Sequence, residues 1–548
     1  MKIAVSQLIV RFMERLGIGH VFGMPGAHVL PVYDALHGST KLRSVLVKHE
    51  QGASFMAGGL ARATGAIGAC ITTAGPGATN LVTGIANAQA DKLPILIITG
   101  ETSTWIFGRG GLQESSGEGG SLDQTDLFRA ITRYHRIVER TDYLPQVLNQ
   151  AARTLLSANP GPVLLSFPYN IQKELVDAEI LDGIAFGASG GRTACGLSAS
   201  ATEVADLIAA ARYPVIVAGH GCIAAGAQEE LAQASELLGI PVATTLKGKG
   251  VLAESSPLSL GCLGVTSDGH AYRYLVDHAD LVIFIGTGFN ERTSYLWDSK
   301  LLAGKKVVQV DSEADQLEKV FRANLAVLGD ARDMLGALLT VARSEAMPRK
   351  ALDKLAEATG ARRIAERFRP IEHLLAGVAE RYAGNAMIFD DNIIVAQSYL
   401  KASPGIRYYP NSGISSLGHA LPAAIGARFA RSAPTFAILG DGGFQMCCME
   451  LMTAVNYDIP VNVVLINNGT MGLIRKNQFQ LYGGRYIDCD FRNPDYALLA
   501  QSFGIRHWRI EAEADVDAMF ATADLENGIN LIEVMWDKNA FPSYLSDR

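Results

Sequence analysis

The chain is 548 residues long, 48% apolar and 19% charged, with a formal net charge of −7 at neutral pH. At about 100–200 residues per domain, this is a globular protein of three or four domains. The acidic balance and the lack of a basic stripe argue against a nucleic-acid partner, and no uninterrupted apolar run reaches the roughly 18 residues of a membrane span.

In chain order the first predicted element is a helix. "MKIAVSQLIVRFMERLGIGHVFG" has Arg11, Glu14 and Arg15 between its apolar positions, which is amphipathic spacing and not that of a signal peptide. Apolar runs then alternate with helical stretches: "IGACITTAG", "LPILIITG", "GPVLLSFP", "YPVIVAG", "ADLVIFIGTG", "KKVVQVD", "TFAILGDGG" and "VNVVLINNG". They are apolar on both faces, and many end in Gly, Ser, Thr, Asn or Asp. That pattern predicts parallel strands covered by helices on both sides, so the expected fold is α/β with three doubly wound parallel-sheet domains. The Gly/Ser/Ala-rich "GIAFGASGGRTACGLSASAT" and the charged "ARSEAMPRKALDKLAEATGARRIAERFRP" divide the chain into units 1–175, 195–343 and 370–548. The first and third have similar size and strand rhythm. The seven cysteines (Cys70, Cys195, Cys222, Cys262, Cys447, Cys448 and Cys489) are odd in number and form no CxxC pair. Such usage predicts reduced thiols in a cytoplasmic protein.

In parallel sheets ligands bind beyond the carboxyl ends of the strands. Two such ends stand out in "TFAILGDGGFQMCCMELMTAVNYDIPVNVVLINNG". Asp441 follows the first run and Asn468 the second, with a crossover helix expected over about 445–457. A carboxylate and an amide oxygen form a hard-oxygen set suited to Mg²⁺, which takes few protein ligands and keeps phosphate oxygens as the rest. Gly440, Gly442 and Gly443 let backbone amides approach an anion at a helix start. The bland alternative is two ordinary turns.

GDG, then helix and strand, then NN resembles the cofactor motif of thiamine-diphosphate (ThDP) enzymes. The resemblance implies that Asp441, Asn468 and the carbonyl of Thr470 bind the metal, and that Met471, Gly472 and Asn392 also line the cofactor. The early segment "VLVKHEQGASFMAGGLARATGAIGACITTAGPGATNLVTGIANA" is similar to the pyrimidine-binding domain of acetolactate synthases, with Glu50 at the catalytic glutamate. A buried carboxylate against a neutral ring nitrogen has a raised pKa, and can share a proton with the aminopyrimidine. By the same resemblance Gln113 in "GLQES" is an active-site glutamine. Leu417 wedges the cofactor rings from below, and the carbonyl of Ser415 accepts from the cofactor amino group. The three units become pyrimidine-binding, central and diphosphate-binding domains, and a homodimer is the minimum active unit, often paired into a tetramer.

The chain departs from that family at informative places. Asn477 in "GLIRKNQFQLYGGRY" stands where acetolactate synthases have Trp, and Leu112 where they have Phe; both belong to the expected substrate pocket. His28 occupies a position usually small, as a proton donor or substrate contact, or as a plain loop histidine. In the central unit, Gly219, Gly221, Thr245, Leu246 and Asp311 match the family's FAD groove, but Gly288 replaces an arginine and Lys247 a methionine. FAD is therefore one option, beside an empty groove or another nucleotide.

The expected activity is that of a ThDP- and Mg²⁺-dependent carboligase. It decarboxylates a 2-oxo acid such as pyruvate and couples the resulting enamine to a second carbonyl compound. Simple 2-oxo acid decarboxylation is the first alternative. A flavin-dependent oxidase of the pyruvate oxidase type, or an inactive nucleotide-binding homologue, is the alternative of another class.

Overall fold

A computed structural model describes residues 1–187, 196–359 and 365–542. Parts of both predicted linkers, Cys195 and the C-terminal end of the last unit lie outside the described residues; the other six cysteines carry free thiols.

In chain order the strands of the first domain are β1 (Lys2–Ala4), β2 (His20–Gly23), β3 (Arg43–Leu46), β4 (Gly68–Thr72), β5 (Ile95–Glu101), β6 (Tyr134–Ile137), β7 (Val163–Pro168) and β8 (Leu175–Asp177). The central domain holds β9 (Pro214–Ala218), β10 (Val242–Thr244), β11 (Ser259–Cys262), β12 (Leu281–Ile285), β13 (Lys306–Asp311) and β14 (Leu325–Leu328). The third holds β15 (Ala386–Asp390), β16 (Ile406–Pro410), β17 (Thr435–Gly440), β18 (Val461–Asn467), β19 (Arg506–Ile510) and β20 (Ile529–Met535).

Each domain is built on a six-stranded parallel sheet flanked by helices. The orders are β3-β2-β4-β5-β7-β6, β11-β10-β9-β12-β13-β14 and β16-β15-β17-β18-β20-β19. The first and third sheets therefore share one topology, and the central sheet has another. All eight apolar runs singled out in the sequence are strands, and their middles are fully buried, as sheets covered on both faces require. The short antiparallel pair β1–β8, with Leu181 and Ile184 in the same core, carries the first domain past residue 175.

The first and third domains share a single apolar core. Helix Glu50–Thr64 lies against helix Ala420–Ala430 at backbone distance. A Cβ added to Gly59 would sit 1.9 Å from the carbonyl oxygen of Ala423, and one added to Gly426 would sit 2.0 Å from that of Met56. The small residues of "AGGLARA" are there to permit this approach. Ion pairs Lys247–Asp91 and Lys92–Glu313 join the central domain to the first. Among the described residues no helix is long and apolar enough to cross a membrane.

The predicted crossover helix at 445–457 is instead broken. Helix Asp441–Cys447 gives way to a 3₁₀ turn, Cys448–Glu450, before helix Leu451–Asn456. The break falls where Glu450 turns its carboxylate across the domain interface, accepting from the backbone amides of Lys48 and His49.

Candidate active site

β17 and β18 are parallel neighbours, with Gly440 opposite Ile466. Their ends bring Asp441 and Asn468 side by side. Asp441 is fully buried. Its Oδ2 accepts from the amides of Asn468 (3.0 Å) and Gly469 (2.6 Å) and from Asn493 Nδ2 (2.7 Å), and its Oδ1 from the amide of Gly442 (3.0 Å). Burial raises its pKa, against the pull of these hydrogen bonds. One carboxylate thus clamps the turn after β18, while Asn468 Oδ1 accepts from the amide of Thr470 (3.1 Å).

These residues line a largely apolar cavity of about 350 Å³ with Leu417, Ser415, Asn392, Met471 and Gly472. Its floor is bare backbone. A Cβ on Gly442 would meet Met471 Sδ at 2.5 Å, and one on Gly443 would meet Asp391 Oδ2 at 2.8 Å. Ser415 and Asn392 both have positive φ, +58° and +65°. The Ser415 turn is held from below: Asp391 accepts from the amides of Gly418 (2.6 Å) and His419 (3.3 Å) and from Asn411 Nδ2 (3.0 Å). Burial pushes Asp391 up to about 7 and its neighbour Asp390 up to about 6. Asn392 Oδ1 accepts from Arg292 of the central domain (3.0 Å).

A second cluster lies in the first domain. Glu50 opens helix Glu50–Thr64, and its Oε2 accepts from Asn80 Nδ2 (2.9 Å). The expected burial of this carboxylate is not met within one chain, where Glu50 is half-buried. Gln113, at φ +57°, has its Oε1 3.2 Å from His28 Nδ1 and accepts from Thr73 Oγ1 at 3.3 Å. Burial lowers the His28 pKa, and the Gln113 contact opposes this. Leu112, next to Gln113, is 77% exposed among the described residues.

No first-domain residue lines the cavity around Asp441. Within one chain the two clusters are separate. Sequence reasoning missed Asn80, Glu450, Asp391, Asn493 and Arg292. Of these only Glu450 and Asp391 carried a signal, as carboxylates inside or just after a strand–turn motif.

The donor set fits the groups the fold implies. A buried carboxylate beside an amide oxygen suits Mg²⁺, and a glycine floor, where Cβ positions at Gly442 and Gly443 are already filled, lets a diphosphate approach the backbone closely. On the expected flavin groove, Lys247 is turned to Asp91 (2.6 Å), and Gly288 offers no side chain.

Models of the thiamine pyrophosphate enzyme N-terminal TPP-binding domain, central domain and C-terminal TPP-binding domain match residues 3–124, 201–338 and 392–534. The chain belongs to the thiamine pyrophosphate enzyme family, and its cofactor is thiamine diphosphate. Within the family it is similar to acetolactate synthase large subunits. It is 35% identical to large subunit IlvB1 of Mycobacterium tuberculosis, over 93% of this chain and 84% of that one. It is 32% identical to isozyme 1 of Escherichia coli, over 97% and 94% of the two chains. A probable large subunit of Methanocaldococcus jannaschii is also 32% identical, over 97% and 92%.

Proposed function

We propose that the chain is a ThDP- and Mg²⁺-dependent carboligase of the acetolactate synthase type. It would remove CO₂ from a 2-oxo acid such as pyruvate and join the remaining fragment to a second carbonyl compound. The observation that carries the reading is the Asp441–Asn468 pair at the ends of two neighbouring parallel strands, over a glycine floor.

Asp441, Asn468 and the carbonyl of Thr470 would hold Mg²⁺. The turns at Gly440, Gly442, Gly443 and Gly472 would take the diphosphate, Gly442 by giving it room since its amide is held by Asp441 Oδ1, with Met471, Leu417 and Asn392 beside the rings and the Ser415 carbonyl accepting from the amino group. When bound, thiamine diphosphate supplies the nucleophilic carbon and the electron sink. Glu50 holds and returns a proton at the ring nitrogen of the pyrimidine, and Asn80 orients its carboxylate. His28 and Gln113, already paired, would contact a substrate oxygen. Arg292 lines the cavity and would meet the carboxylate of the acid. Leu417, Ile394 and Leu473 give the cavity an apolar wall, and exclusion of water from the loaded site would favour coupling over protonation of the fragment.

Under this reading 1–175, 195–343 and 370–548 are the pyrimidine-binding, central and diphosphate-binding domains. A homodimer is the minimum unit, with pairing of dimers into a tetramer, each site taking Glu50 from one subunit and Asp441 from the other. The separation of the two clusters within a chain supports this, as do the exposed Trp105 and Leu112 on the first domain and Phe479 and Ile487 on the third. No flavin chemistry enters the proposal.

The test is proton NMR of the purified protein with ThDP, Mg²⁺, pyruvate and a panel of aldehydes and 2-oxo acids. A coupled product is expected. Free acetaldehyde with no coupled product would replace the proposal with simple decarboxylation.

A further inference from the structure

Strand β20 reads INLIEVM, and its carboxylate, Glu533, is 4% exposed. A carboxylate that deep in a sheet is costly unless its oxygens are met. Both are. Glu533 Oε2 lies 2.8 Å from His507 Nε2, on β19, and Oε1 accepts from Asn467 Nδ2, at the end of β18. Burial pushes this carboxyl up, but the hydrogen bonds with His507 and Asn467 hold it below the usual carboxylate range.

The contacts continue toward the cavity. Asn467 Oδ1 accepts from Asn493 Nδ2 (2.7 Å), and the same nitrogen donates to Asp441 Oδ2 (2.7 Å). Asn493 Oδ1 accepts from Gln445 Nε2 (2.7 Å). Two side-chain amides thus link a carboxylate inside the sheet to the carboxylate at the candidate metal site.

The direction of this link is fixed from both ends. A carboxylate only accepts, whereas an amide has one accepting and one donating end. Glu533 therefore takes the NH₂ of Asn467. That turns the Asn467 oxygen to Asn493, and the Asn493 NH₂ to Asp441. Without an acceptor at 533, Asn467 is free to turn over and Asn493 with it, which would set an amide oxygen against the Asp441 carboxylate.

The consequence falls on Asp441. Its Oδ2 receives three donors, the amides of Asn468 and Gly469 and Asn493 Nδ2, while Oδ1 receives only the amide of Gly442. A carboxylate tied this way has little freedom to swing, and Oδ1 is its less occupied oxygen. Mg²⁺ demands near-octahedral geometry at short distances, whereas the larger Ca²⁺ accepts looser and more varied ligand sets. We propose that Asn493, Asn467 and Glu533 are positioning residues for Asp441, and that they hold its carboxylate rigid enough to favour Mg²⁺ over Ca²⁺. The inference rests on the reading of Asp441 as a Mg²⁺ ligand.

The test is a titration of the protein, in excess ThDP, with Mg²⁺ and separately with Ca²⁺. It is read by tryptophan fluorescence, since Trp536 lines the cavity. Loss of a residue that orients a metal ligand weakens metal binding by about 10–100-fold, so Asn493→Ala should weaken Mg²⁺ by that much. Ca²⁺ should weaken several-fold less, lowering the Mg²⁺/Ca²⁺ preference by about threefold or more. Glu533→Leu should act in the same direction. Glu533→Gln keeps an acceptor for Asn467 and should stay within about threefold of the parent. Asn493 lies on an irregular stretch before helix Tyr496–Phe503, so its variant carries the test even where Glu533→Leu does not fold. Mg²⁺ affinity unchanged in Asn493→Ala would overturn the inference. So would equal weakening of both ions, the mark of a domain that is merely loosened. In either case metal-dependent ThDP binding by the parent leaves the Mg²⁺ reading standing. A parent that binds ThDP with no dependence on metal would end that reading, and this inference with it.

Discussion

Glu450→Ala should weaken the protein and disable Glu50 without touching it. Glu450 is 3% exposed. It reaches from the third domain into the first, where its Oε1 accepts from the amides of Lys48 (3.1 Å) and His49 (3.0 Å), and Thr453 Oγ1 donates to its Oε2 (2.6 Å). Those amides immediately precede Glu50, so the carboxylate fixes the start of the helix that presents it. The seat is tight: a Cβ on Gly52 would lie 2.2 Å from Glu450 Oε1. Hydrogen bonds to a charged acceptor are worth about 1.5–3 kcal/mol each. Thr453 can turn to another acceptor, and water reaches the half-buried Lys48 and exposed His49, so the sum is discounted to about 2–4 kcal/mol. Glu450→Gln keeps an oxygen for both amides. Burial already raises the pKa of this carboxyl, so a neutral replacement should cost less than about 1 kcal/mol. Chemical denaturation gives the stabilities. Proton exchange at the cofactor's reactive carbon gives the state of Glu50, with Gln restoring what Ala loses. An Ala variant as stable as the parent, or a Gln variant as damaged as Ala, would refute the reasoning.

Further outcomes follow from the same geometry. Gly59→Ala puts a methyl 1.9 Å from the Ala423 carbonyl, so it should destabilise the shared core by about 3 kcal/mol or more, read as a lowered Tm or loss of soluble protein. Asp391 has its pKa raised in the fold to about 7. The folded chain therefore binds more protons than the unfolded one between about pH 4 and 7, and the stability this confers is complete below about 4 and lost as pH rises through 7. Asp391→Asn should flatten that slope in Tm against pH; an unchanged slope would remove Asp391 as its source. Asp441→Ala should abolish Mg²⁺-dependent ThDP binding in a fluorescence titration. Glu50→Gln should leave that binding largely intact while stopping exchange at the reactive carbon.

The strands were legible because parallel sheets buried on both faces leave continuous apolar runs, as in Leu281–Ile285 and Val461–Asn467. Strand order was not, since pairing β7 with β5 across the inserted β6 depends on contacts that no local pattern encodes. The Asp441 turn was readable because glycines there answer a need of the backbone. Asn493, which donates to Asp441, comes from an irregular stretch with no periodic signal. The continuous helix expected over 445–457 failed for a tertiary reason: a local pattern cannot know that Glu450 will be drawn across a domain interface. Leu112, expected in a substrate pocket, is 77% exposed among the described residues, and a pocket wall formed between chains leaves no local sequence signal.

The central claim is a cofactor site made from Glu50 of one subunit and Asp441 of another. Glu50→Gln and Asp441→Ala, each inactive alone, should therefore complement when their subunits are mixed and allowed to exchange. Half the dimers in an equal random mixture are hybrids, and each hybrid has one intact site. Carboligase activity should recover to about a quarter of the parent level. Hybrids that form, as shown by native mass spectrometry, yet recover no activity would contradict the account.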